Sequence, residues 1–409
     1  MQQEKYKDGP KMFYGYIIVG AASFIMAITW GANRSFGVFL KPMLSDLGWT
    51  RAGISGAFTF AMIIMGMMGT ITGKLTDQLG PRVVAVGCGL FLGIGYILMA
   101  WVRSVWQLYV IYGLLTGIGM SISISMLSLS ARWFVRRRAL MTGIIAAGPS
   151  LGIFLVPLAC SRLIDIYGWR TSYVIMGIFT IGFILFGARY VRRSPADSSR
   201  ALPGEKPAQE TDPTISETGF SIRQVLRTKQ YWLLSTICFC DLFLMNVVTV
   251  HLVIHAQDQG VAATQAATLL SAAAGVCLFA RIAIGGVADR IGCKPTLMIC
   301  LVVSMLGFVV LLSARGMWML YLFAVIFGFS LWASGGLIPP ITAELFGLKA
   351  HGNIFGAVYM SAAMGGAFGP VLVGYLYDVF GSYQPAFGLC LLISICSVAL
   401  LILLDPVKK

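Results

Sequence analysis

Charge is what this sequence has least of. Asp, Glu, Lys and Arg together make up 11% of 409 residues, acids number only 16 and histidines only three. A soluble globular domain carries about a quarter of its residues as charges, so one is excluded. The nine cysteines include no CxxC pair and lie mostly inside apolar runs. They read as small core residues and not as a disulfide framework or a metal site. No nucleotide loop, metal cluster or activated nucleophile stands out, so neither an enzyme nor a bound cofactor or metal is expected.

What the chain has instead is apolar side chain: 58% of residues are hydrophobic and the mean hydropathy is +0.83. That composition predicts an all-α, polytopic membrane protein. A net charge of +14 would suit nucleic acid, but the bases sit in short clusters between apolar runs. There the positive-inside rule accounts for them. Membrane lipid is therefore an expected partner and nucleic acid is not. The polar stub MQQEKYKDGPKMF runs directly into a full-length apolar stretch, which predicts a self-anchoring first helix with no cleavable signal.

Apolar runs of about 20 residues predict twelve transmembrane helices near 14–38, 53–74, 83–103, 107–131, 139–163, 171–190, 231–256, 264–288, 295–314, 318–342, 353–377 and 383–404. The stretch SPADSSRALPGEKPAQETDPTISETG between the sixth and seventh cannot bury enough apolar surface to fold. The expected organisation is a six-helix bundle over 1–190, a linker over 191–229 and a second bundle over 230–409. Of the 30 Lys and Arg, 22 fall at the termini, in the linker and in the other connections that follow even-numbered helices, against six in the remaining connections. Both termini and the linker are expected to be cytoplasmic. The halves also repeat. Gly73, Asp77, Gly80 and Arg82 recur 212 residues later as Gly285, Asp289, Gly292 and Lys294, and Gly143, Gly152, Pro157, Asp165 and Gly168 recur 213 later as Gly356, Gly365, Pro370, Asp378 and Gly381. Parallel repeats of this kind rock about a site at mid-membrane.

GKLTDQLGPR (73–82) and GGVADRIGCK (285–294) resemble the loop signature of the major facilitator superfamily in two copies. WFVRRRALMTGIIAAG (133–148) is similar to the helix-five signature of the proton-linked monocarboxylate transporters. The resemblance, which extends to bacterial lactate and pyruvate carriers, implies a major facilitator fold in a bacterial cytoplasmic (inner) membrane. It also implies that Asp77 and Asp289 are gating latches, pairing with neighbouring bases or a helix N-terminus when the cytoplasmic side closes. Arg136, Arg137 and Arg138 read as topology determinants that also suit anionic lipid.

Polar groups at depth are the candidate site. Bringing a guanidinium to mid-bilayer costs about 2.5–3.5 kcal/mol even on the lenient scale, which makes Arg281 an expected carboxylate anchor, with a structural ion pair as the alternative. Arg34 in the outer third of helix one stands where the family has a lysine. In helix eight the family pattern is Asp followed four residues later by Arg, and here Cys277 holds the Asp position. A thiol ordinarily titrates near about 8.5, so Cys277 is a poor proton carrier. Asp241 in helix seven is the better one, or the buried partner of Arg281, or both. Asn246 is a candidate donor to a substrate hydroxyl, His251 a solvated residue near the mouth, and Ile28, Ile145, Trp332 and Tyr359 a candidate pocket lining. The reading is proton symport of a small monocarboxylate such as lactate or pyruvate, by a monomeric transport unit. The alternatives are an organic-anion antiporter of the oxalate/formate type, whose extra helix-eleven lysine is matched by Ala362 here, and a transporter-like sensor.

Overall fold

The computed structural model describes residues 14–49, 51–134, 137–193 and 219–405, without the side chains of 51, 52, 55, 263, 264, 267 and 332. Most of the expected linker, together with Arg136 and the side chain of Trp332, lies outside the described residues. What is described is helical: α1 (Tyr14–Arg34), α2 (Phe36–Leu47), α3 (Arg51–Leu79), α4 (Pro81–Leu98), α5 (Val105–Trp133), α6 (Arg138–Ala188), α7 (Lys229–Asp258), α8 (Ala263–Ile291), α9 (Cys293–Leu312), α10 (Met317–Phe329), α11 (Ile338–Phe346), α12 (His351–Phe380) and α13 (Gln384–Ile402). Among the described residues ten spans are long and apolar enough to cross a membrane. Large side chains such as Phe154, Phe279 and Val371 are each more than two-thirds exposed. In water they would drive association, whereas in hydrocarbon they are already solvated.

Several helix ends differ from those the apolar runs suggested, each for a local reason. The first run breaks at Ser35, whose hydroxyl donates back to the Gly31 carbonyl at 2.8 Å, and then continues as α2 to Leu47. The division between runs five and six is where it was expected, since α6 is two helices that meet at a kink at Gly168, where φ is 74°. Run ten ends its first part at Phe329 and resumes at Ile338 after Gly335 and Gly336, with Pro339 and Pro340 opening α11. The GxxxDxxG stretches make the same turn twice. Gly80 and Gly292 take φ of 88° and 95°, a region that glycine enters without a Cβ penalty. The chain then starts a new helix, with Pro81 at the first position of α4, where its missing N–H is no loss.

Candidate functional site: two arginines above a closed end

The end of the bundle that carries Arg132, Arg137, Arg138, Arg193, Arg290 and Lys294 is here called the basic end. There α3 ends against the start of α12, and α8 ends against the start of α6. The Asp77 carboxylate accepts hydrogen bonds from the Gly352 and Asn353 amides at 3.1 and 3.0 Å. The Asp289 carboxylate accepts from the Ala139 and Leu140 amides at 2.8 and 2.9 Å. First-turn amides have no partner within their own helix, and they carry the positive end of its dipole. Each carboxylate therefore closes one helix of the first repeat onto one of the second. The two acids are 212 residues apart and their amide pairs 213, so the sequence offset returns as a symmetric pair of bonds. Asp77 has more: Arg132 pairs with it at 2.5 Å, and the Arg193 guanidinium donates to its main-chain carbonyl. The position 212 after Arg132 is Glu344, so the Asp289 carboxylate has no matching cation at that place.

Small residues let these helices meet. A Cβ on Gly73 would run into the Gly352 carbonyl, one on Gly356 into the Gly69 carbonyl, and one on Gly143 into that of Arg281. Close backbone approach of this kind is what small residues provide in membranes.

Deeper in the bundle, Arg34 ends α1 with its guanidinium carbon 5.7 Å from the ring centres of both Trp30 and Phe58. That is cation–π distance. Trp30 is held by its indole N–H, which donates to the Ser123 hydroxyl at 3.0 Å. Tyr112, whose hydroxyl donates to the Asn33 carbonyl at 3.3 Å, comes from a π-helical stretch of α5, Tyr109–Thr116. Such stretches recur at functional sites. Nothing distinguished Tyr112 in the sequence, where it is one of 15 tyrosines.

Arg281, half-buried on α8, donates to the Ala146 carbonyl on α6. The Tyr359 phenol of α12 feels the charges of both Arg281 and Arg34. Three of the expected residues thus converge.

Asp241 does not join Arg281. It is buried, and its carboxylate accepts from the Ser334 hydroxyl at 3.0 and 3.2 Å. Its electrostatic surroundings are set by burial and by Ser334, with no contribution from Arg281. No ion pair between the two is found among the described residues. Arg281 points from α8 to α6, while Asp241 points from α7 into the break between α10 and α11. Asp241 instead lines a cavity of about 40 Å³ with Leu127, Cys238, Phe355, Tyr359 and Ala362.

The other expected residues fall variously. The Asn246 amide donates to the Leu242 carbonyl of its own helix at 3.1 Å and lies against Gly366, which gives it a packing place at the α7–α12 contact. Ile145 is fully buried in the packed core, Ile28 packs half-buried against that core, and Cys277 is buried one turn before Arg281. His251 is not solvated near a mouth: its ring bridges the Tyr383 hydroxyl at 3.1 Å and the Pro370 carbonyl at 3.0 Å. All nine cysteines are free.

The model of the major facilitator superfamily matches residues 19–292 and 234–409. The chain belongs to that superfamily. Superfamily relatives include bovine monocarboxylate transporter 13, 28% identical over 93% of this chain and 87% of its own. Human monocarboxylate transporter 2 is 25% identical over 92% and 82%. Among solved structures, the human organic anion transporter MFSD10 (TETRAN) superposes with a TM-score of 0.72 at 16% identity, covering 95% of this chain and 99% of that one. The fold and the relatives are those of superfamily transporters, integral membrane proteins with no catalytic family among them.

Proposed function

We propose that the chain carries a small monocarboxylate of the lactate or pyruvate type together with a proton, by alternating access of two six-helix halves. The observation that carries this reading is the convergence of Arg34 and Arg281 on Tyr359, in a bundle whose basic end is held shut by two carboxylate caps. Fixed cations in a low-dielectric cavity attract an anion strongly. Taking up a proton with the anion offsets its charge and favours turnover of the loaded carrier. The relatives are named monocarboxylate transporters, which points to the same substrate class.

Counting α1 with α2 and α10 with α11 as single crossings and dividing α6 at Gly168 makes twelve spans, with the bundles over 1–190 and 230–409 and the linker over 191–229 between them. The skew of Lys and Arg supports cytoplasmic termini. The resemblance to bacterial carriers supports a cytoplasmic (inner) membrane, although the two relatives named above are mammalian. Cysteines introduced at Ser198 or Ser199, with the exposed native Cys396 replaced, should react with an impermeant maleimide only in inside-out vesicles. Labelling on intact cells overturns the orientation.

The function itself is tested by uptake of labelled lactate, pyruvate, formate and oxalate into proteoliposomes, with and without an inward proton gradient. Accumulation of lactate or pyruvate that collapses when a protonophore removes the gradient is the expected result. Two cations felt by one tyrosine also favour a second reading, exchange of a dicarboxylate. Oxalate-driven counterflow that is indifferent to pH selects that reading and sinks symport.

A further inference from the structure

Ser334 stands in the break between α10 and α11, and three oxygens compete for its one hydroxyl proton. Its Oγ lies 3.0 and 3.2 Å from the two Asp241 oxygens and 2.9 Å from the Leu331 carbonyl. That carbonyl belongs to a buried residue. The Gly335 amide, which would close the next helical turn on it, bonds to the Ala333 carbonyl instead. A buried carbonyl left without a donor costs about as much as a lost hydrogen bond. If Asp241 is ionised, either its carboxylate or the Leu331 carbonyl goes without the Ser334 proton. If Asp241 is a neutral acid, its O–H donates to Ser334 Oγ, Ser334 donates to the Leu331 carbonyl, and both needs are met at the observed distances.

The other neighbours of Asp241 also suit a neutral acid. It opens on a cavity walled by apolar side chains such as Leu127, Ile338, Phe355 and Val358, and burying an ionised carboxylate without a partner charge is costly. The titratable groups that interact with it electrostatically are thiols, Cys238 and Cys240 on its own helix and Cys300 on α9. The Tyr359 phenol of α12 lines the same cavity, but its surroundings are set by burial and the two arginines. Among the described residues no Lys or Arg forms an ion pair with Asp241.

Resting on the symport reading, we propose that Asp241 bears the transported proton, held as a neutral acid whose O–H donates to Ser334 in the break between α10 and α11. On loading, a hydronium gives up one O–H bond and becomes water while one O–H bond forms at Asp241. On release, Ser334 turns its proton to the carboxylate and the Leu331 carbonyl loses that bond. The proton and the shape of the break therefore depend on each other. Such coupling needs no contact between Asp241 and Arg281, because proton and anion each shift the same equilibrium between states of the carrier.

Infrared spectroscopy of the protein in liposomes, with aspartate carrying carbon-13 in its carboxyl, separates the C=O stretch of a neutral acid from carboxylate bands. At about pH 7, far above the ordinary aspartate range, wild type is expected to show one neutral-acid band from labelled aspartate. Asp241→Asn should lack it, and Asp241→Glu should move it to the position of an unlabelled acid. Ser334→Ala should keep the band but shift it, since the acid loses the acceptor of its O–H, a change that loss of packing alone does not make. A wild type without the band, or a band that survives both Asp241 variants, overturns the proposal. A band that Ser334→Ala leaves unmoved overturns the pairing with Ser334. The transport arm uses proteoliposomes under an inward gradient of about one pH unit, which drives one-to-one symport to about tenfold accumulation. Wild type should reach that ratio, Asp241→Asn should fall to about one, and Asp241→Glu, which can again carry a proton, should accumulate. Asp241→Asn that still accumulates about tenfold overturns the proposal and leaves symport standing. A wild type that shows the band but accumulates neither lactate nor pyruvate overturns symport, and with it the transported proton.

Discussion

Arg281→Ala is expected to weaken lactate and pyruvate binding by about a hundred- to a thousandfold. Truncating one partner of a buried, hydrogen-bonded charge pair costs about 3–4 kcal/mol, which is that factor in affinity. Most of the loss should appear as faster release. Arg281→Lys tests the geometry of the pair. An ammonium can still reach the Ala146 carbonyl that Arg281 now bonds, so the α6–α8 contact survives, but it cannot offer a carboxylate two parallel N–H donors. The Arg281→Lys protein should therefore be as stable as wild type in detergent and still show a half-saturating lactate concentration in counterflow raised by roughly tenfold. Near-native affinity in Arg281→Ala places the anchor elsewhere, with Arg34 next. Arg34→Ala should then show the large loss, since its aromatic surround of Trp30 and Phe58 holds the cation in place without neutralising it.

Much of the architecture could be read from the chain because a membrane imposes a simple rule. Every crossing has to be an apolar run closed on its own backbone hydrogen bonds, and a repeat at a fixed offset survives as matched glycines. Asp77 and Asp289 illustrate how far that reaches: two acids beside matched glycines fall in matching capping bonds. The helix ends were less legible. Hydrophobicity placed the division at Gly168, which falls between runs five and six, but it does not register the break at Ser35, where the backbone keeps helical torsions of −63° and −18° and α1 gives way to α2 within one apolar run.

The site divides along the same line. Arg281 is conspicuous in any apolar run, because an isolated guanidinium at depth demands an explanation. Asp241 is equally conspicuous, and yet the direction it faces is a matter of helix rotation. A shift of a few tens of degrees about α7 decides between Arg281 and Ser334, and apolar periodicity is nearly silent in a helix that is hydrophobic on all sides. Ser334 and Tyr112 gave no signal at all, since a serine in lipid reads as a small packing residue and a tyrosine as one aromatic among many. Asn246 shows the reverse error. Its polarity drew attention, but the amide is occupied by its own helix and by Gly366.

Gly73→Val is expected to stop transport while leaving the protein folded. The Gly73 backbone sits so close to Gly352 that a side chain on it would overlap the Gly352 carbonyl, and a Cβ on Gly352 would in turn lie 2.6 Å from the Gly73 oxygen. Both sides of this contact are main chain, so no rotamer change relieves it and the helices must part. An overpacked contact costs about 3 kcal/mol, which lowers the population of the basic-end-closed state roughly a hundredfold. A state in which α3 and α12 have parted would bear no such penalty. Because the halves are proposed to rock as rigid bodies, parting α3 from α12 should also part α8 from α6. The thiol of Ala139→Cys, at a buried position beside Gly285, reports this. With the exposed native Cys396 replaced, it should react slowly with maleimide in an otherwise wild-type chain and much faster in Gly73→Val. Asp77→Asn should act in the same direction but more weakly, since it keeps an acceptor for the Gly352 and Asn353 amides while losing the charge that pairs with Arg132. Gly73→Val that is monodisperse and still transports within about threefold of wild type, a loss far below the hundredfold shift in population, would show that closure at this end is not part of the cycle. A monodisperse, inactive Gly73→Val in which the Ala139→Cys thiol stays unreactive would show instead that the two crossings open independently, which removes the rigid-body half of the argument.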